Sequence, residues 1–189
     1  LDEISSTTIV SNSPILIPGT NNILDRDLWE MIDPAFKYSD VYKLNWVKQQ
    51  ILKLNLDKIA DGPLLVTDAD VICTNPLRWQ SGKKNKLFYR STPMPKSENF
   101  VKKLIDVDST VGYITNNMIF QSDVLASLRN FLEEKFQKDQ IEIYRDAVLE
   151  DTVTGKIFDD IFMSEHQLYN DYFVKNYPNR VWKSEKFKM

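Results

Sequence analysis

A short apolar run, Leu64-Leu65-Val66-Thr67, constrains this chain more than any other feature: it begins directly after Gly62-Pro63 and runs into Asp68-Ala69-Asp70. Gly-Pro stops any helix that precedes it. An apolar run without alternation suits a strand buried on both faces, as in a parallel sheet covered by helices. In extended chain the side chains at i and i+2 point the same way, so Asp68 and Asp70 are expected together just beyond the strand. Ligand crevices of open α/β sheets lie at that end of the strands. Two carboxylates that close repel each other, and a divalent cation relieves the conflict. Mg²⁺ or Mn²⁺ takes oxygen ligands, commonly one or two carboxylates together with phosphate oxygens of a substrate. The pair therefore points to a metal–diphosphate site with Asp68 and Asp70 as ligands. The plain alternative is a solvated acidic turn that ends a strand.

Helical and extended patterns alternate around this run. Leu44, Val47, Ile51 and Leu54 recur at helical spacing, with Leu52, Leu56 and Ile59 widening the stripe. This predicts a helix that starts near Ser39-Asp40 and is stopped by Gly62-Pro63. Thr7 to Val10 reads as a strand, Pro18-Gly19 as a turn and Leu24 to Ile32 as a short helix. Ser97 to Ile105 reads as a helix. So does the stripe Leu125, Leu128, Leu132 and Phe136, capped by Ser122 or Asp123. Glu165 to Tyr177 reads as a helix stopped by Pro178. Leu87 to Arg90 and Val111 to Phe120 read as strands, the second interrupted at Asn116-Asn117. Ile141-Glu142-Ile143-Tyr144 alternates like a half-buried strand, and Ser81 to Lys86 reads as an exposed loop. The alternation predicts an α/β fold, a single Rossmann-like domain with a central, mostly parallel sheet flanked by helices.

Composition excludes several classes. A chain of 189 residues can bury about 70% of its unfolded surface without staples. Its 24 basic and 27 acidic side chains give a net charge of −3, so there is no basic excess to draw a nucleic-acid backbone. No apolar run approaches the roughly 18 residues of a membrane span. No basic stretch followed by an apolar one opens the sequence, so no signal peptide is expected. The lone Cys73 forms no internal disulfide, and a cytoplasmic monomer is expected. Aromatic residues make up 12% of the chain, enough for core packing and for a sugar-stacking surface, where Trp79 and Trp182 are the candidates.

Three stretches together resemble the D-x-D glycosyltransferases of the GT-A fold. The first is Trp46-Val47-Lys48-Gln49-Gln50-Ile51-Leu52-Lys53-Leu54, followed by the apolar strand, Asp68-Ala69-Asp70 and Asn75-Pro76. The second is Tyr113-Ile114-Thr115-Asn116-Asn117-Met118-Ile119-Phe120, similar to the family's strand beside the donor sugar. The third is Phe162-Met163-Ser164-Glu165-His166-Gln167-Leu168-Tyr169, similar to a segment of a bacterial branch. The size and the opening around Ser11 to Gly19 are similar to a small viral branch that glycosylates capsid protein, which implies the host cytoplasm.

The resemblance implies a GT-A domain that moves a sugar from a nucleotide-diphosphate donor, expected to be a UDP-sugar, to a glycan or glycoprotein acceptor. It implies Mn²⁺ or Mg²⁺ held most directly by Asp70, with Asp68 also touching the donor. His166 is a candidate further metal ligand by the same analogy; the plain alternative is a packed histidine. Lys53 and Gln50 are candidates for the donor diphosphate, or else an ordinary polar helix face. Asn116 and Asn117 offer amide donors and acceptors for sugar hydroxyls, or else mark a turn. A general base for the acceptor hydroxyl must be a carboxylate or histidine within hydrogen-bond reach, which leaves Asp159, Asp160 and Glu165; Asp160 and Glu165 are retained.

Two rival readings use the same residues. In a haloacid-dehalogenase-type phosphatase, Asp68 would be the nucleophile, but that motif normally opens its domain and here 67 residues precede it. A sugar-binding module without catalysis would bind saccharide regardless of Asp70.

Overall fold

In the computed structural model, which describes residues 6–11, 13, 17–32, 42–67, 80–81, 84–89, 92–113, 115, 117–149 and 163–186, helices and short strands alternate along the chain. Strand β1 (Thr8–Ser11) runs parallel to β2 (Asn21–Leu24). The turn between them needs Gly19 at φ +80°, a conformation other residues rarely adopt. Helix α1 (Asp25–Ile32) follows at once, with Asp25 and Asp27 in the first turn, where the helix dipole favours negative charge. It buries Leu28 and Trp29.

Helix α2 (Tyr42–Lys53) buries the predicted stripe at Val47, Ile51 and Leu52. It ends at Lys53, well before Gly62. The Asn55 side chain donates to the Ile51 carbonyl at 3.0 Å, an alternative to the next helical bond, and Leu56–Lys58 form one 3₁₀ turn. Ser39 and Asp40, the expected caps, lie outside the described residues.

Strand β3 (Pro63–Thr67) alternates, with Leu64 and Val66 half-buried and Pro63, Leu65 and Thr67 exposed. The expected burial on both faces is not observed, since only one face packs on the core. Strands β4 (Gln80–Ser81) and β5 (Lys84–Tyr89) occupy much of the expected lysine loop. Helix α3 (Pro95–Ile105) begins with proline at a position whose N–H would have no helical partner. Strand β6 (Asn117–Gln121) is buried at every position and leads directly into α4 (Ser122–Phe136).

Helix α5 (Gln140–Leu149) replaces the strand expected at Ile141 to Tyr144. Ile141, Tyr144 and Ala147 are buried while Glu142 is exposed, which is helical rather than two-residue periodicity. Helix α6 (Glu165–Asn176) and strand β7 (Val181–Lys186) complete the described chain.

The described strands form three small sheets. β3 pairs antiparallel with β6, Thr67 beside Asn117 and Pro63 beside Gln121. β5 pairs antiparallel with β4 and parallel with β7. The chain is therefore mixed α/β, and half of the described pairings are antiparallel rather than mostly parallel. Pro63 has no N–H to give to the β3–β6 ladder. Gly62 closes it instead: its N–H donates to Ser122 Oγ at 2.9 Å, and its carbonyl accepts from Ser122 N–H at 3.2 Å. Ser122 thus locks β3 to the start of α4 rather than capping its own helix.

The core lies where α3, α4 and α6 meet β6. It holds Phe100 and Leu104 from α3, Leu125, Leu128 and Leu132 from α4, and Leu168, Tyr169 and Phe173 from α6. Each such side chain contributes roughly 1.5–3 kcal/mol through burial. Arg129 of α4 makes a two-pronged pair with Asp57, 3.0 Å from Nη1 to Oδ1, fixing the 3₁₀ turn after α2 against α4. Among the described residues no helix is long and apolar enough to cross a membrane.

Candidate active site

Helix α6 is buried from Glu165 through Phe173, although its first three residues are Glu165, His166 and Gln167. Polar groups remain in such surroundings only when they are hydrogen-bonded or paired. Ser164 caps the helix, its side chain accepting from Gln167 N–H at 3.2 Å. Lys53, the last residue of α2, donates to Glu165 Oε1 at 2.9 Å, with side-chain exposures of only 13% and 5%. His166 Nε2 lies 3.4 Å from the same oxygen. On its other side, His166 Nδ1 accepts from Thr115 N–H at 3.4 Å.

The next turn of α6 grips the segment that leads into β6. Gln167 Oε1 accepts from Tyr113 N–H at 2.9 Å, and Gln167 Nε2 donates to the Val111 carbonyl at 2.9 Å and to Asp171 Oδ2 at 2.8 Å. Ser109 Oγ donates to the same Asp171 oxygen. Burial pushes the Asp171 carboxyl above its ordinary value despite these two donors. Burial, helped by the Asp171 charge, pushes the Tyr113 hydroxyl up to about 12. Between these contacts lies Gly112, where an added Cβ would sit 2.5 Å from the Thr92 carbonyl oxygen. Glycine is required there by the close approach of two backbone segments.

Thr115 Oγ1 donates to the Asn117 carbonyl at 2.8 Å. Asn117 is the β6 residue opposite Thr67, the last residue before Asp68. A small cavity between β5 and β6 is lined by Thr115, Asn117 and Asn170 on one side and by Lys86 and Phe88 on the other. The side-chain oxygens of Asn117 and Asn170 are buried without a hydrogen-bond partner. Buried amide oxygens of this kind call for donors such as hydroxyl groups.

The fold therefore brings together Lys53, Glu165 and His166, which come from two separate stretches of sequence, and sets Thr115 and Asn117 beside them. Gln50 is buried on α2, one turn before Lys53. Asp68, Asp70, Asn116, Asp159 and Asp160 lie outside the described residues, as do Cys73, Trp79 and Lys83. Lys48, Thr115 and Asn170 were not singled out as functional from the sequence, and all three are buried. Asn170 stands four residues after His166, so helical spacing alone places the two on one face.

His166, the candidate further metal ligand, has its Nδ1 toward the Thr115 backbone and its Nε2 toward Glu165. Among the described residues no group of three or more His, Cys, Asp or Glu side chains is placed to hold a metal ion. Comparison with known proteins found no matching family model, curated protein or solved structure.

Proposed function

We propose that this chain is a glycosyltransferase of GT-A type, moving a sugar from a UDP-sugar to a glycan or glycoprotein acceptor. One observation supports the reading: Lys53 pairs with buried Glu165, whose neighbour His166 is joined through Thr115 to Asn117, the residue opposite the last residue of the strand that leads into Asp68-Ala69-Asp70. Transfer breaks the bond between the sugar C1 and the diphosphate oxygen and forms one between C1 and the acceptor oxygen. Negative charge grows on the diphosphate as the bond breaks. A lysine held by a buried carboxylate is preorganised to meet that charge, and preorganised charge is where most catalysis of this kind comes from. Asp68 and Asp70 would hold Mn²⁺ or Mg²⁺, which supplies Lewis-acid neutralisation of the same leaving group.

Asn117, and Asn116 before it, are the amides that would meet sugar hydroxyls. Glu165 acts here as a positioning residue: its Oε1 accepts from Lys53 and lies 3.4 Å from His166 Nε2. The proton of the acceptor hydroxyl then passes to Asp160, the other carboxylate retained from the sequence. No observation favours the phosphatase or the passive binding module.

The test is a panel of UDP- and GDP-sugars incubated with the protein, with and without Mn²⁺, following nucleotide release. Metal-dependent release is expected with a UDP-sugar, lost in Asp70→Asn and reduced about 100-fold or more in Lys53→Ala. No metal-dependent turnover or binding with any donor would overturn the reading, as would full activity in Asp70→Asn.

A further inference from the structure

Gln167 does for residues 111–113 what a neighbouring strand does in a sheet. In a parallel ladder one residue bonds to both residues that flank its partner. The Gln167 side chain makes that pair of bonds: Oε1 accepts from Tyr113 N–H and Nε2 donates to the Val111 carbonyl, each at 2.9 Å, on either side of Gly112. The amide makes both bonds in one orientation only, because turning it over would set donor against donor and acceptor against acceptor.

Asp171, one turn further along α6, fixes that orientation. Its Oδ2 accepts from Gln167 Nε2 at 2.8 Å and from the Ser109 hydroxyl, and a carboxylate offers nothing to an amide oxygen put in the place of Nε2. Gln167 is wholly buried and Asp171 nearly so, 0% and 7% exposed. Burying polar groups costs free energy that their hydrogen bonds scarcely recover, so such a network fixes geometry more than it adds stability. What it holds is the chain on its way to the site. Two residues after Tyr113, Thr115 gives its N–H to His166 Nδ1 and its hydroxyl to the carbonyl of Asn117, which faces Thr67 across the ladder.

We infer that Gln167, oriented by Asp171, is a positioning residue for the sugar-facing side of the site: a side-chain splint that sets where Thr115 and Asn117 stand. The diphosphate side is assigned to other residues, Lys53, Asp68 and Asp70, so the splint bears on the sugar and not on the nucleotide. The role toward a sugar rests on the transferase reading; the splint itself does not. A contribution to folding alone would act on nucleotide and nucleotide-sugar alike, by changing how much of the chain is folded.

The experiment measures the affinity of the full chain for UDP and for the UDP-sugar cleaved fastest in the donor panel, each with Mn²⁺, together with hydrogen exchange at the Tyr113 amide. Gln167→Met and Asp171→Leu are each expected to weaken the UDP-sugar about tenfold, leave UDP within about twofold of the parent, and speed Tyr113 exchange about tenfold. Asp171→Asn keeps an oxygen for Gln167 and is expected to match the parent in all three. Ser109→Ala, a half-buried change that removes one of the two donors to Asp171, is expected to follow the same pattern at about threefold, and keeps the test valid if the buried variants do not fold. Equal losses for UDP and UDP-sugar, unchanged Tyr113 exchange, or Asp171→Asn as weak as Asp171→Leu would each overturn the inference. A parent chain that binds neither ligand overturns the transferase reading and the sugar role with it. Parent-like sugar binding in the variants overturns the role of the splint alone, so the two fail separately.

Discussion

The first turn of α6 and the stretch from Tyr169 to Phe173 are both shut off from water but are packed by opposite means. From Tyr169 onward the helix is held by rings: Phe120 meets Tyr169 edge-on at 4.8 Å, Tyr169 stacks on Phe173 at 5.8 Å, and Phe173 stacks on Tyr177 at 6.2 Å. Its first turn is held by paired polar groups, Lys53 with Glu165, Thr115 with His166, and Tyr113 with Gln167. Dispersion and buried area are non-directional, so the aromatic end supports the fold whatever chemistry occurs elsewhere. Directional pairs fix the positions of charges without adding much net stability, because desolvation offsets their attraction. Apolar packing and the paired polar groups thus occupy successive turns of one helix.

The largest effect should come from the aromatic end. Phe173→Ala is expected to cost about 3–5 kcal/mol in urea unfolding, since it empties a fully buried site and removes two stacking contacts. A loss below about 1 kcal/mol would erase the distinction between the two turns.

A smaller and differently shaped effect is expected at the polar turn. Lys53→Met or Glu165→Gln alone should cost about 2 kcal/mol, because each removes one member of a largely shielded ion pair. The double variant should recover most of that loss while nucleotide release stays reduced about 100-fold or more. Additive losses in the cycle would show that the pair is not coupled.

The smallest effect is a pH dependence. Burial, and to a lesser degree the charge of Glu98, raises the Asp171 carboxyl above its ordinary 3.8. The folded chain therefore takes up this proton at a higher pH than the unfolded chain does. Asp171 contributes a penalty that is absent below 3.8 and grows as pH rises through the folded value. Asp171→Asn retains an oxygen for Ser109 and Gln167, so its stability relative to the parent should increase with pH across that window. Unfolding curves that run parallel at every pH would contradict this.

Much of the helical framework was legible in the sequence. α3 and α6 were read as helices, and α4 was found because Leu125, Leu128, Leu132 and Phe136 repeat at helical spacing over three turns. α5 was misread because Ile141 to Tyr144 is too short a window to separate a period of two from one of 3.6. β7 was not read at all, since Val181-Trp182-Lys183-Ser184-Glu185-Lys186 hides a strand under charge. The end of α2 was hidden too, because a side-chain bond from Asn55 stops the helix inside an unbroken apolar stripe.

At the candidate site, Lys53, Glu165 and His166 were chosen by motif, and they do meet. The state of His166 was not legible, because the group that occupies Nδ1 is the backbone N–H of Thr115, which carries no side-chain signal in sequence. Asn170 was within reach through its helical spacing from His166. The cavity it lines was not, because that depends on how β5 approaches β6.

Gly112 extends the reach of one missing methyl group to the whole rim. The strand of chain from Val111 to Asn117 carries the backbone groups that engage Gln167 and His166, and it rests directly on the Thr92 carbonyl. Any larger residue at 112 would lift that strand off its support and uncouple the imidazole, although it touches no ionisable group itself. The electrostatic order of the Lys53, Glu165 and His166 cluster is thus inherited from a steric clearance on the far side of the backbone.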